Sequence, residues 1–132
     1  MHKGLLKAGA FFGALSVMLG AFGAHAIKDK VSPDVLAIFE TGVRYQFYHA
    51  FALLTAGILY KDFPVKCMLW SGRLFICGII LFSGSLYLLT YLKASGVMDL
   101  KAAGIITPFG GACFIVGWIF LMMSFRRAKQ PR

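Results

Sequence analysis

Two histidines within apolar stretches, His25 and His49, are the side chains best suited to chemistry in this chain, because an ionisable group at membrane depth is costly and tends to mark a proton, ion or ligand site. Around them lie other polar groups. Glu40, Arg44, Tyr45 and Tyr48 lead up to His49, and Ser85, Tyr87 and Thr107 come later. On a helix, Tyr45 and His49 share a face at i,i+4, while Glu40, Arg44 and Tyr48 form a second row. Three chemistries follow from such a set: a proton or ligand relay at His49, axial ligation of a haem iron by His25 and His49, or hydrolysis from Ser83 or Ser85. The last lacks an acidic partner nearby in the sequence. Each residue also has a plainer reading. His49 can be a neutral imidazole that keeps helices in register, His25 an interfacial group reaching water, the tyrosines an aromatic belt, and Glu40 with Arg44 a surface ion pair.

The elements that must carry these residues are membrane helices. Of 132 residues 59% are hydrophobic and 14% charged, with a mean hydropathy of +0.76, more apolar surface than a water-soluble fold of this size can hide. Four spans are expected, at 8–27, 43–60, 70–92 and 106–125, with a short interfacial helix at 33–42 before the second, so the fold class is an all-α, polytopic four-helix bundle in one domain. The first span has no charge between Lys7 and Lys28. Ala24-His25-Ala26 imitates a signal-peptidase site, but the apolar run exceeds a signal core, so the segment is expected to be retained. Ser32-Pro33-Asp34 supplies a helix start: an N-cap, a proline at the first helical position and an acid in the first turn. Thr107-Pro108 reads as the firm start of the last helix, after a softer one at Ala102.

Gly9, Gly13, Gly20 and Ala24 recur at helical spacing and make a packing seam. Gly84 marks a close contact in the third span. Gly110 and Gly111 do so in the fourth, and no Lys-Ser/Thr follows them to hold a phosphate. Cys67, Cys77 and Cys113, odd in number and without CxxC spacing, read as buried free thiols. No metal and no cofactor is expected. The net charge of +9 lies in short groups between apolar runs, which argues against nucleic acid and for a lipid bilayer, with a second copy or another membrane protein as further partners. Lys3, Lys7, Lys61, Lys66, Arg73, Arg126, Arg127, Lys129 and Arg132 fall on one side, and Lys28, Lys30, Arg44, Lys93 and Lys101 on the other, so both termini are expected in the cytoplasm, across the inner membrane.

At 1.5 Å per residue from the cytoplasmic boundary, His49 and Ser85 lie at about 18 Å, Tyr87 at about 21 Å, Arg44 at about 25 Å, His25 at about 27 Å and Thr107 at about 28 Å. The polar side chains therefore gather in the outer half above a nearly apolar base, and a single mutual network is expected, because lipid cannot satisfy them. The difference of about 9 Å in depth makes joint haem ligation by the two histidines awkward. The apolar base is an obstacle to a conducting path.

GAFGAH (Gly20 to His25), YQFYHA (Tyr45 to Ala50), FSGSLYLL (Phe82 to Leu89) and TPFGG (Thr107 to Gly111), with Gly117-Trp118, resemble the YgdD/YwdK-type family of small bacterial inner-membrane proteins, a domain of unknown function. The resemblance covers nearly the whole chain. It implies four transmembrane helices and no activity, substrate or catalytic residue. The expectation is a noncatalytic bundle acting through packing or protein interaction, not an enzyme, with transport or ligand binding around His49 as the alternative.

Overall fold

The computed structural model describes residues 1–96 and 101–126, all of them in helices, turns and short connections. There are four rods. α1 (Lys3–Ile27) is α-helical over Lys3–Phe22 and closes with a π turn at Gly23–Ile27. α2 runs Pro33–Leu59. α3 (Lys66–Ala94) is interrupted by a π turn at Ile79–Ser83, and α4 runs Lys101–Arg126. The basic tail from Arg127 and part of the polar connection before Lys101, Asp99 included, lie outside the described residues.

The helices run past several expected boundaries. The 33–42 segment, expected as a short interfacial helix, is continuous with the second span as the first turns of α2, because nothing between Pro33 and Leu59 breaks the ladder. Ser32 stands at the N-cap with extended backbone (ψ 156°), but its hydroxyl caps nothing, and the Ser32 carbonyl alone opens the ladder by accepting from Leu36 at 3.0 Å. α4 is already helical at Lys101, the first described residue after the connection, and continues through Pro108, which lacks only the N–H that would have bonded the Gly104 carbonyl. α3 ends with Gly96 at φ 73°, the left-handed position a helix C-terminus favours.

Three rods, α1, α3 and the Gly104–Arg126 part of α4, are long and apolar enough to cross a membrane. α2 is long enough, but Arg44, Gln46 and His49 dilute it. Its position compensates for this. α1 packs along one side of α2 and α3 along the other, α3 and α4 form the second close pair, and α4 reaches α2 through side chains. α2 thereby touches each of the other three helices.

The apolar core occupies the end near the α2–α3 connection, where Leu5, Leu53, Ala56, Met68, Phe75 and Leu121 are buried. The start of the chain is fastened there as well. The His2 main-chain N–H donates to the Gly57 carbonyl at 2.8 Å, His2 Nδ1 accepts from Leu5 N–H at 3.2 Å, and the ring sits edge-on to Tyr60. Nearby, Arg73 is exposed and lies over the Trp70 ring at 5.1 Å.

The expected packing glycines divide. Gly9 and Gly13 face Ala50 and Leu54, and Gly20 faces Val43, so the α1 seam meets α2. The seam then continues through Gly23 against Phe39; Ala24 is exposed, a correction to its place in the stripe. Gly84 is also corrected, since no neighbouring atom lies within 4 Å of where its Cβ would stand. Gly110 abuts the Phe82 main chain, whereas Gly111 leaves ordinary room to the Phe82 ring. Gly42, Gly72, Gly78 and Gly117 make close contacts that the spacing did not single out.

The cysteines are free, but only Cys67 is buried; Cys77 is exposed and Cys113 half-buried. Cys77 on α3 and Cys113 on α4 bring their sulfurs to 3.7 Å. Copper–phenanthroline oxidation is therefore expected to link them within one chain, because only a small adjustment separates that distance from an S–S bond of about 2.05 Å. A faster-running species on a non-reducing gel, lost in Cys113→Ser, checks the α3–α4 register. Dimers as the only product would contradict it.

Candidate functional site

The polar interior is built on one stripe of α2. Gly42, Gln46 and His49 fall at steps of four and three, so they share the buried face, and each addresses a neighbouring helix. At Gly42 the missing side chain exposes the carbonyl, which accepts from Ser83 Oγ of α3 at 2.7 Å. One turn on, Gln46 Nε2 donates to the Phe12 carbonyl of α1 at 3.1 Å, while its Oε1 accepts from Tyr87 OH of α3 at 2.9 Å. The Phe12 carbonyl also accepts from Ser16 Oγ at 2.8 Å. Gln46 is 2% exposed and uses both ends of its amide to join two helices.

His49 makes the third tie. One ring nitrogen, Nδ1, lies 2.7 Å from the Tyr45 carbonyl, and the other, Nε2, lies 3.2 Å from the indole Nε1 of Trp118 on α4. A carbonyl only accepts and an indole N–H only donates, so these partners define a neutral imidazole with its proton on Nδ1. The ring stacks on Phe114 at 3.5 Å and 9°, with Phe75 at 5.5 Å on another side. Both nitrogens are taken and His49 is buried.

A fourth contact joins α3 to α4. Ser85 Oγ is 2.6 Å from Thr107 Oγ1 and also donates to the Phe82 carbonyl at 2.8 Å. The π turn at Ile79–Ser83 lies on this seam, with Ser83 at its end, the residue bonded to Gly42. Among the described residues, Ser71 Oγ is the one buried side-chain polar atom without a hydrogen-bond partner.

The expected single network is thus corrected to a set of cross-ties. Ser85 meets Thr107, Tyr45 stacks beside His49 at 6.3 Å, and Tyr87 joins through Gln46. Four candidates stay outside. His25 is exposed on the closing π turn of α1, Tyr48 is 55% exposed, and Glu40 and Arg44 are exposed and make no ion pair among the described residues. His25 and His49 share no site, and the described residues contain no group of three or more His, Cys, Asp or Glu able to hold a metal. Gln46 and Trp118 were missed as site residues. The signal for Gln46 was present, since an amide one turn from His49 on a membrane helix must meet a partner.

Replacing Gln46 by Leu is expected to lower stability by about 1 kcal/mol, because two helix–helix hydrogen bonds go but membrane hydrogen bonds are individually modest. Thermal unfolding in detergent measures this, and Tyr87→Phe in the Gln46→Leu background should then cost less than it does in the wild type.

A family model described as a protein of unknown function (DUF423) matches residues 19–111. The chain is 40% identical over 123 residues to a UPF0382 membrane protein of Staphylococcus aureus (strain bovine RF122), covering 90% of this chain and 95% of that one. It is 38% identical over 117 residues to the UPF0382 membrane protein YwdK of Bacillus subtilis, covering 88% and 90%. No solved structure matches. With polar side chains tied inward, apolar helices outward and likeness along nearly its whole length, the chain belongs to the DUF423 family, a membrane protein of unknown function.

Proposed function

We propose that this protein is a noncatalytic four-helix bundle of the inner membrane, with both termini cytoplasmic, acting through packing against lipid, a second copy or another membrane protein. α2 is the fourth crossing in this reading, carried by its neighbours despite its polar residues. The excess of basic residues around the termini and the α2–α3 connection supports the orientation.

The observation that carries the reading is the state of His49. A relay or ligand site needs a nitrogen free to exchange partners, whereas both His49 nitrogens are engaged and the ring is stacked on Phe114. The polar residues then serve to hold the helices in register. Proteoliposomes containing wild type or His49→Ala are expected to pass protons and small solutes no faster than empty vesicles. A flux present in wild type and lost in His49→Ala would overturn the reading.

One observation favours ligand binding as a second reading, at Tyr87 instead of His49. A cavity of about 470 Å³ between the ends of α1 and α3 is bordered by Phe22, Ile27, Lys30, Tyr87 and Thr90. Its size falls within the range of roughly 300–1,000 Å³ typical of small-molecule sites.

A further inference from the structure

We propose that the groove between α1 and α2 seats one phospholipid with a zwitterionic, primary-ammonium head, a phosphatidylethanolamine, its phosphate on Arg44 and its ammonium on Glu40. The groove holds about 480 Å³. Gly20 and Gly23 of α1 border it together with Val43 and Phe39 of α2, and the contacts of Gly20 with Val43 and of Gly23 with Phe39 close its floor. Its deep end, at Ser16, Val17 and Phe47, is mostly apolar and suits an acyl chain. Its other end points toward the α1–α2 connection, which carries Lys28, Asp29 and Lys30 and so lies at the water side whichever leaflet that is.

The charges are ordered along the groove as they are in the lipid. Counting from Lys61, Arg44 lies about 25 Å up α2, just inside a hydrocarbon layer of roughly 30 Å, and Glu40 lies about 6 Å further out. Both line the groove, both are exposed and neither has an ionic partner among the described residues. A guanidinium at that depth reaches outward for a phosphate. The carboxylate one turn above stands where the ammonium of the same head group comes to rest. The order also discriminates. An anionic glycerol head brings no cation to Glu40, and a choline head brings a cation with no N–H to donate.

This inference rests on α2 crossing the bilayer, as proposed above. The test is native mass spectrometry of protein purified in detergent with equimolar phosphatidylethanolamine, phosphatidylcholine and phosphatidylglycerol. One retained phosphatidylethanolamine is expected, favoured about tenfold over either competitor, the change given by one charge-assisted hydrogen bond. Glu40→Gln should keep one phospholipid and lose the preference. The exchange Glu40→Arg with Arg44→Glu leaves the net charge unchanged and should lose retention. Retention of no lipid, equal retention of all three, or wild-type retention by the exchanged protein would each overturn the proposal.

A Phe47→Cys chain with Cys67, Cys77 and Cys113 replaced by Ser separates the two readings. Labelling by a membrane-impermeant maleimide in liposomes would put the groove in water and overturn the crossing itself. Protection without lipid retention would overturn the lipid seat alone.

Discussion

Gly110→Ala is expected to be among the most damaging single-methyl substitutions in the bundle. The added carbon would fall on the main-chain nitrogen and α-carbon of Phe82, and neither can rotate away as a side chain would. Relief requires moving α4 off α3 at the seam where Ser85 meets Thr107. Overpacking of that kind costs about 1–3 kcal/mol, and a backbone neighbour places this case at the upper end. Gly111→Ala provides the contrast. Its methyl would meet only the Phe82 ring at 3.9 Å, and replacing a helical glycine by alanine adds up to about 1 kcal/mol of stability. Gly84→Ala should behave the same way, having open space. Unfolding temperatures in detergent therefore separate adjacent glycines by sign: Gly110→Ala falls, while Gly111→Ala and Gly84→Ala hold or rise. Equal changes at Gly110 and Gly111 would refute the seam.

Those three glycines mark the boundary of what the sequence discloses. Apolar runs between charges are a strong periodic signal, so the four rods and the Ser32-Pro33 start are legible from residue types alone. Which polar side chains of α2 look inward is not. Tyr45, Tyr48 and His49 are equally polar candidates within one turn of α2, yet His49 is buried while Tyr45 and Tyr48 are substantially exposed. The neighbouring helices decide that, through the Trp118 donor and the Phe114 face, 69 and 65 residues away along the chain. The two π turns are illegible for a related reason. Each adds one residue to a turn without a proline or glycine pair to announce it. Depth could be counted from the charges, and it brought Glu40 and Arg44 into a cluster; rotation could not be counted, and it leaves both at the α1–α2 groove.

His49→Leu is expected to lower stability by about 2 kcal/mol while leaving membrane insertion intact, since the span becomes more apolar as the tie is lost. Three losses combine. The Tyr45 carbonyl keeps its helical partner but loses the second one, the Trp118 N–H loses its acceptor, and the flat stack on Phe114 at 3.5 Å is replaced by a branched chain that cannot lie parallel to it. A double-mutant cycle isolates the part that joins α2 to α4. Trp118→Phe removes the donor and keeps most of the ring, so the coupling between His49→Leu and Trp118→Phe reads that hydrogen bond. In membrane bundles such couplings average about 0.6 kcal/mol and reach about 1.7 kcal/mol. A value near 1 kcal/mol is expected here, because the indole is 48% exposed and an unpaired N–H facing lipid finds few substitutes. Zero coupling would mean that the two rings are neighbours without a bond. The neutral tautomer would then lose one of its two supports, and His49 would again be a group with a nitrogen free for protons or ligands.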